Sequence, residues 1–98
     1  MNKEKFKFRS KHFYNLLNTQ EYRCYLTNRE LRPENTNAEH IKPLRAGGKH
    51  EAKNICLVDE MVAKLKRYYT VEEIIKLAAE ILQARGKKYG YRITKKKI

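Results

Sequence analysis

Ninety-eight residues suffice for one domain and not for two, and a chain this short buries only a modest core. Twenty-three Lys and Arg against eleven Asp and Glu give a net charge of +12, which points to a polyanionic partner: nucleic acid first, an anionic membrane surface second, with a ribosomal-type or merely soluble basic protein as the plain alternative. No apolar run approaches the length of a membrane span and no signal-like segment follows the N-terminus, so no transmembrane helix is expected and the protein is expected to stay in the cytoplasm or nucleoid.

Residues 1–9 form a basic arm with Phe6 and Phe8 interspersed. Lys3, Lys5, Lys7 and Arg9 alternate with other residues, as phosphate contacts or as a solvated arm; both readings stand open. Ser10 is expected to cap a helix over residues 10–17, with Phe13, Leu16 and Leu17 on one face and His12 at the surface. Residues 22–27 are β-prone. Residues 31–37 have loop composition: Pro33 removes a donor and the Asn residues suit turns.

A first strand is expected over residues 38–44, then a turn at Gly47 and Gly48 and a long hairpin loop to Asn54. Residues 55–58 read as the second strand. Asp59 is positioned to cap a helix running to about Tyr68, with Val62 and Leu65, or Met61 and Leu65, facing inward. Thr70 and Glu73 form a capping box for a further helix to Arg85. Val71, Ile74, Ile75, Ala78, Ile81 and Leu82 follow helical spacing there, opposite Glu72, Glu73, Lys76, Glu80 and Gln83. That stripe reads as core packing rather than a membrane or partner face, and Gly86 as the C-terminal cap. Residues 87–98 carry six basic residues, two tyrosines and no acid: an arm for phosphates and base stacking, or a solubilising tail. The whole is a single domain: arm 1–9, globular 10–86, tail 87–98. Cys24 and Cys56 stand alone, without a C-x-x-C pair, so neither a structural zinc knuckle nor a disulfide is expected; small buried apolar residues are.

The chemistry concentrates in Ala38-Glu39-His40-Ile41-Lys42-Pro43-Leu44, followed by Gly47-Gly48 and Asn54. A phosphodiester is anionic and has a poor leaving group, so cutting it needs a base, a cation and rigid geometry. A histidine with an unperturbed pKa near ~6.5 accepts a proton at neutral pH, which makes His40 the candidate base. Adjacent strand residues point to opposite faces. Glu39 and His40 therefore serve one site only if the strand is distorted or the site wraps its edge.

This order of residues resembles the HNH endonuclease family over residues 24–74. Cys24, Thr27 and Leu31 fit the stretch that precedes the hairpin in such proteins. The resemblance implies an α+β fold with a ββα-metal core, an N-terminal helix, a C-terminal packing helix and a basic tail. It implies Glu39 as ligand to one divalent ion (Mg²⁺ or Mn²⁺ first, Zn²⁺ or Ni²⁺ also compatible), His40 as general base and Asn54 as brace of the loop. The family's final ligand falls on Ala63, whose methyl group cannot bind a metal, and a ligand one turn later falls on Arg67, which cannot either. Engineering, natural degeneration, or a substitute ligand from Asp59, Glu60 or His50 would each account for Ala63. Lys42, Arg45, Lys49, Lys64, Lys66 and Arg67 are candidate phosphate contacts, and His50 a DNA contact or a plain surface residue. The implied function is metal-dependent cutting or nicking of double-stranded DNA by a monomer or homodimer, without membrane. The rivals are a catalytically dead DNA-binding module of the same fold and a basic RNA-associated domain with a coincidental motif.

Overall fold

The computed structural model describes residues 5–94. The fold is mixed α+β: three α-helices and one antiparallel sheet of two strands. In chain order these are α1 (Ser10–Thr19), β1 (Thr36–His40), β2 (Ile55–Asp59), α2 (Glu60–Lys66) and α3 (Val71–Arg85), with short 3-10 turns between and after them. None of the described helices is long and apolar enough to cross a membrane.

Strand β2 is the centre. Every residue of Ile55–Asp59 is buried, because α1 and α2 both pack on it while β1 pairs along its edge. The register sets Thr36 opposite Asp59, Ala38 opposite Leu57 and His40 opposite Ile55. Leu17, Cys24, Leu31, Cys56, Leu57, Val58, Val62 and Ala63 make the apolar cluster, and Phe8, Phe13 and Leu16 pack against it. Both cysteines are buried and free; burial pushes the Cys56 thiol up to about 12, so it stays protonated. Gln20 joins α1 to the strand: its amide accepts from Leu57 N–H at 2.9 Å and donates to Leu57 C=O at 2.9 Å, as a neighbouring strand would.

Several local expectations are corrected. Arg9, not Ser10, is the N-cap of α1. The imidazole Nδ1 of His12 accepts from the Arg9 N–H at 3.0 Å, so His12 caps the helix from within its first turn and packs on Phe6 instead of standing free. Residues 22–27 are not a strand. They belong to a tight loop with positive φ at Glu21, Tyr22 and Asn28; Arg23 bridges Glu30, and Tyr25 N–H donates to Leu57 C=O at 3.0 Å. Strand β1 lies nearer the N-terminus than residues 38–44, since Pro43 lacks an N–H and the backbone of Lys42 is taken up by a side chain. Helix α2 ends at Lys66 and turns Val62, Ala63 and Lys66 inward, leaving Met61 and Leu65 exposed. Its start is as expected: the Asp59 carboxylate accepts from Val62 N–H at 3.0 Å.

Helix α3 departs most. Its capping box of Thr70 and Glu73 is formed, yet no residue of α3 is buried. Ile75, Leu77 and Ile81 are 60%, 47% and 55% exposed. The stripe is therefore not core packing. The helix runs beyond the sheet layer and the longest dimension reaches 55 Å. Gly86 keeps helical angles (φ −62°) and is there for space, with the Tyr91 carbonyl 3.2 Å from where a Cβ would sit. The left-handed residue that ends this region is Gly90, at φ 84°. Residues 86–94 are ordered as a 3-10 turn and a return segment along α3, not a free arm; Lys3 and residues 95–98 lie outside the described residues.

The contrast between β2 and α3 predicts a contrast in stability. Leu57→Ala is expected to cost about 3 kcal/mol as a buried deletion, while Ile81→Ala at low micromolar protein should stay within about 0.5 kcal/mol. Urea unfolding of the two variants checks this; equal losses would show α3 to be part of the core.

Candidate functional site

The site grows from one turn. After His40 the chain leaves the sheet, and Asn54 catches it. The Asn54 side-chain oxygen accepts from Lys42 N–H at 2.9 Å. Its amide nitrogen donates to Lys42 C=O at 3.0 Å and to Lys49 C=O at 2.7 Å. The backbone adds Ile41 N–H to Asn54 C=O at 2.8 Å. Both ends of the loop are thus clasped by one residue. Gly48 is required in that clasp: a Cβ there would lie 1.8 Å from the Lys42 carbonyl oxygen.

The clasp holds His40 at the end of β1. Glu39 and His40 open onto one cavity of about 400 Å³ with Ala38, Leu44, Arg45, Arg67 and Tyr68, so the site wraps the strand's end and does not lie on one sheet face. Burial raises the Glu39 carboxyl above its usual range, although Arg67 and Lys66 pull it the other way. The Arg67 guanidinium approaches the Glu39 carboxylate at 3.9 Å. Burial lowers the His40 imidazole, and His50 and Lys66 lower it further, so at neutral pH His40 is the uncharged acceptor.

His50 is not an isolated surface residue. Its Nδ1 lies 2.9 Å from His40 Nε2, and Phe6 packs on its ring at 5.2 Å. For His40 to accept a proton at Nδ1, its Nε2 must carry the hydrogen and donate it to His50 Nδ1. His50 then orients the ring. No sequence spacing announces this partnership, because a residue ten positions away reaches His40 only when the clasp has folded the loop.

Three of the basic candidates turn out to be engaged. Lys66 is fully buried, and its ammonium donates to the carbonyls of Ile41 (2.5 Å) and Tyr69 (3.2 Å); burial lowers its pKa. It ties α2 to the loop and is out of reach of phosphate. Its place one turn after Ala63, on the same inward side as Val62, is the signal that could have revealed this. Arg45 donates to Tyr68 C=O and pairs with Glu73 at 2.7 Å, joining the loop to the start of α3. Arg67 faces Glu39. Lys42, Lys49 and Lys64 stay exposed.

The donor chemistry bears on the implied ion. Ala63 is 4% exposed within the apolar cluster, so α2 brings no ligand from that position. Among the described residues no three His, Cys, Asp or Glu side chains converge as a metal cage. One carboxylate at the cavity wall suits Mg²⁺ or Mn²⁺, which take most of their ligands from water and substrate phosphate; it does not suit Zn²⁺, which needs three or four protein ligands. The chain matches no family model, no curated protein and no solved structure.

Two measurements follow. Asn54→Ala removes three side-chain hydrogen bonds and is expected to lower stability by about 2 kcal/mol at ~1 kcal/mol per bond less relaxation, with the largest amide shifts at Lys42 and Lys49 by NMR; an undisturbed loop would contradict the clasp. The His40 imidazole should titrate below its ordinary value of 6.5. A lowered histidine favours the folded state when neutral, so its contribution is present above the unfolded pKa and is lost as pH falls through the folded one. A ¹⁵N or ¹³C titration placing His40 above 6.5 would refute the burial and charge account.

Proposed function

We propose that this chain is an HNH-type endonuclease domain with a ββα-metal core, which cuts or nicks double-stranded DNA in a cytoplasmic setting. The observation that carries this is the shared cavity at the end of β1, where a carboxylate and a neutral imidazole stand together on a loop clasped by Asn54. His40 takes the proton from an attacking water at Nδ1 while His50 holds its Nε2 side. Asn54 keeps the imidazole aimed. Lys42, Lys49, Lys64 and Arg67 bind backbone phosphates on either side of the scissile bond. Arg67 serves in both states: it neutralises Glu39 in the free protein and turns to phosphate on the DNA. A divalent ion at Glu39, when bound, supplies charge stabilisation for the leaving oxygen.

A second reading, a DNA-binding module that has lost the reaction, is favoured by Ala63 and by the guanidinium beside Glu39. The two separate in a supercoiled-plasmid nicking assay with Mg²⁺ or Mn²⁺. The enzyme reading expects measurable nicking that falls about 10²-fold or more in His40→Ala, the usual range for loss of a general base, and that rises in Ala63→Asn or Ala63→His. No nicking in any version, with duplex binding kept, would leave the module. Four phosphate contacts predict a slope of log K against log salt near −3.6, from about −0.9 per contact on duplex DNA. A flat salt response, or tighter binding to RNA with indifference to His40→Ala, would remove both readings.

A further inference from the structure

The segment before α1 alternates with a period of two. Phe6 and Phe8 are half-buried, while Lys5, Lys7 and Arg9 are exposed, as in an extended chain lying on a surface. Phe8 packs against the apolar cluster, and Phe6 does not reach it. Phe6 meets two histidines instead. Its ring centroid lies 5.2 Å from that of His12, at 69°, and 5.2 Å from that of His50, at 58°. His12 is held in turn by the Arg9 N–H at its Nδ1 (3.0 Å) and by Phe8, stacked at 6.0 Å. Rings therefore run without a break from the core through Phe8, His12 and Phe6 to His50, and His50 Nδ1 is 2.9 Å from His40 Nε2.

We propose, resting on the reading of His40 as base, that Phe6 is a positioning residue for it: the arm seats Phe6 on His50, and His50 is thereby kept presenting Nδ1 to His40. His50 needs such support. It is exposed on the loop, and the clasp beside it bonds only to backbone, through the Lys49 carbonyl. A half-turn of its ring would put Cδ2 where Nδ1 stands, and the His40 Nε2–H would lose its acceptor. His40 would then share its hydrogen between both nitrogens, and the Nδ1 lone pair that takes the proton from water would be absent in part of the molecules. A ring packed on His50 opposes that half-turn, because His50 must push Phe6 aside to make it, and Phe6 is backed by His12 on α1.

The two faces of the arm then have different effects on the reaction. Lys5, Lys7 and Arg9 line an open cavity of about 470 Å³ with Phe6 and His12, and their charges act on the binding of phosphates. Removing the Phe6 ring leaves each of those charges in place. It therefore changes the rate of the bound complex and not its formation. A 1 Å misplacement of a reacting group costs up to about 10²-fold, and a His50 ring freed to turn but not displaced costs less, about tenfold.

Phe6→Ala, His50→Ala and the double variant test this in the plasmid-nicking assay. Phe6→Ala should lower kcat about tenfold with KM for DNA unchanged, and Phe6→Tyr, which keeps the ring, should nick at the parental rate. The double variant should be no slower than His50→Ala, because Phe6 acts only through His50. A second readout needs no activity. The two-bond ¹H–¹⁵N spectrum of the imidazoles reports which nitrogen carries the hydrogen, and Phe6→Ala should move His40 from the Nε2–H form to a mixture of both, with the amide signals of the core unchanged. Where the parent nicks no DNA, it is the reading of His40 as base that fails, and the spectrum alone decides whether Phe6 orients the pair. An unmoved His40 tautomer in Phe6→Ala, or losses that multiply in the double variant, overturns the proposal.

Discussion

The clasp by Asn54 is the constraint on which the rest of the site depends. A two-stranded sheet is marginal by itself, and here the ladder ends once Ile41 N–H has reached Asn54 C=O, because the Ile41 carbonyl and the Lys42 backbone bond to side chains. One amide group satisfies donors and acceptors at both ends of the loop. It thereby fixes where His50 arrives, and so how the imidazole of His40 is turned. The buried Lys66 completes the arrangement from below. Its ammonium satisfies the Ile41 carbonyl, which has left the sheet, and stays near Glu39 and His40 as a fixed positive charge. Loop geometry and the protonation of the site residues thus have one origin.

That buried cation also accounts for the division of labour between the two acceptors. Glu39 sits in a low-dielectric wall, which favours its neutral form, against two cations that favour its charged form. His40 has the same surroundings with the opposite consequence, since burial and positive neighbours all disfavour imidazolium. The pair is pushed toward a neutral base beside a carboxylate whose charge depends on what stands near it. Arg67, long and exposed, fits that second role because it can leave Glu39 without unfolding anything.

The parts of the fold carried by local chemistry were legible in the sequence: the Asp59 cap, the Thr70–Glu73 capping box, the apolar run of β2 and the two free cysteines. Two misread cations share one cause, which is that the side chain bonded to a distant backbone group. Lys66 read as a phosphate contact, because nothing local shows that the Ile41 carbonyl waits for it. Arg45 read as a phosphate contact, yet Glu73 and Tyr68, far along the chain, hold it. Gly86 does close α3 as its C-cap, as its place after Arg85 suggested, but with right-handed angles; the left-handed residue is Gly90, four positions on. Of the site, the residue types at 39, 40 and 54 could be picked out, whereas the partnership of His40 with His50 could not, since it exists only after the loop has closed.

The apolar period of α3 was also legible, and what it meant was not. Periodicity reports that a face will be covered but says nothing of the covering surface. In a larger domain the default answer, the domain's own core, holds more often, because the core is large enough to receive another helix. Here β2 is already enclosed by α1, α2 and β1, and α3 is bound to the remainder chiefly near its first turn, through Glu73 and Arg45. A short chain with a filled core and one surplus amphipathic helix has placed that helix outside.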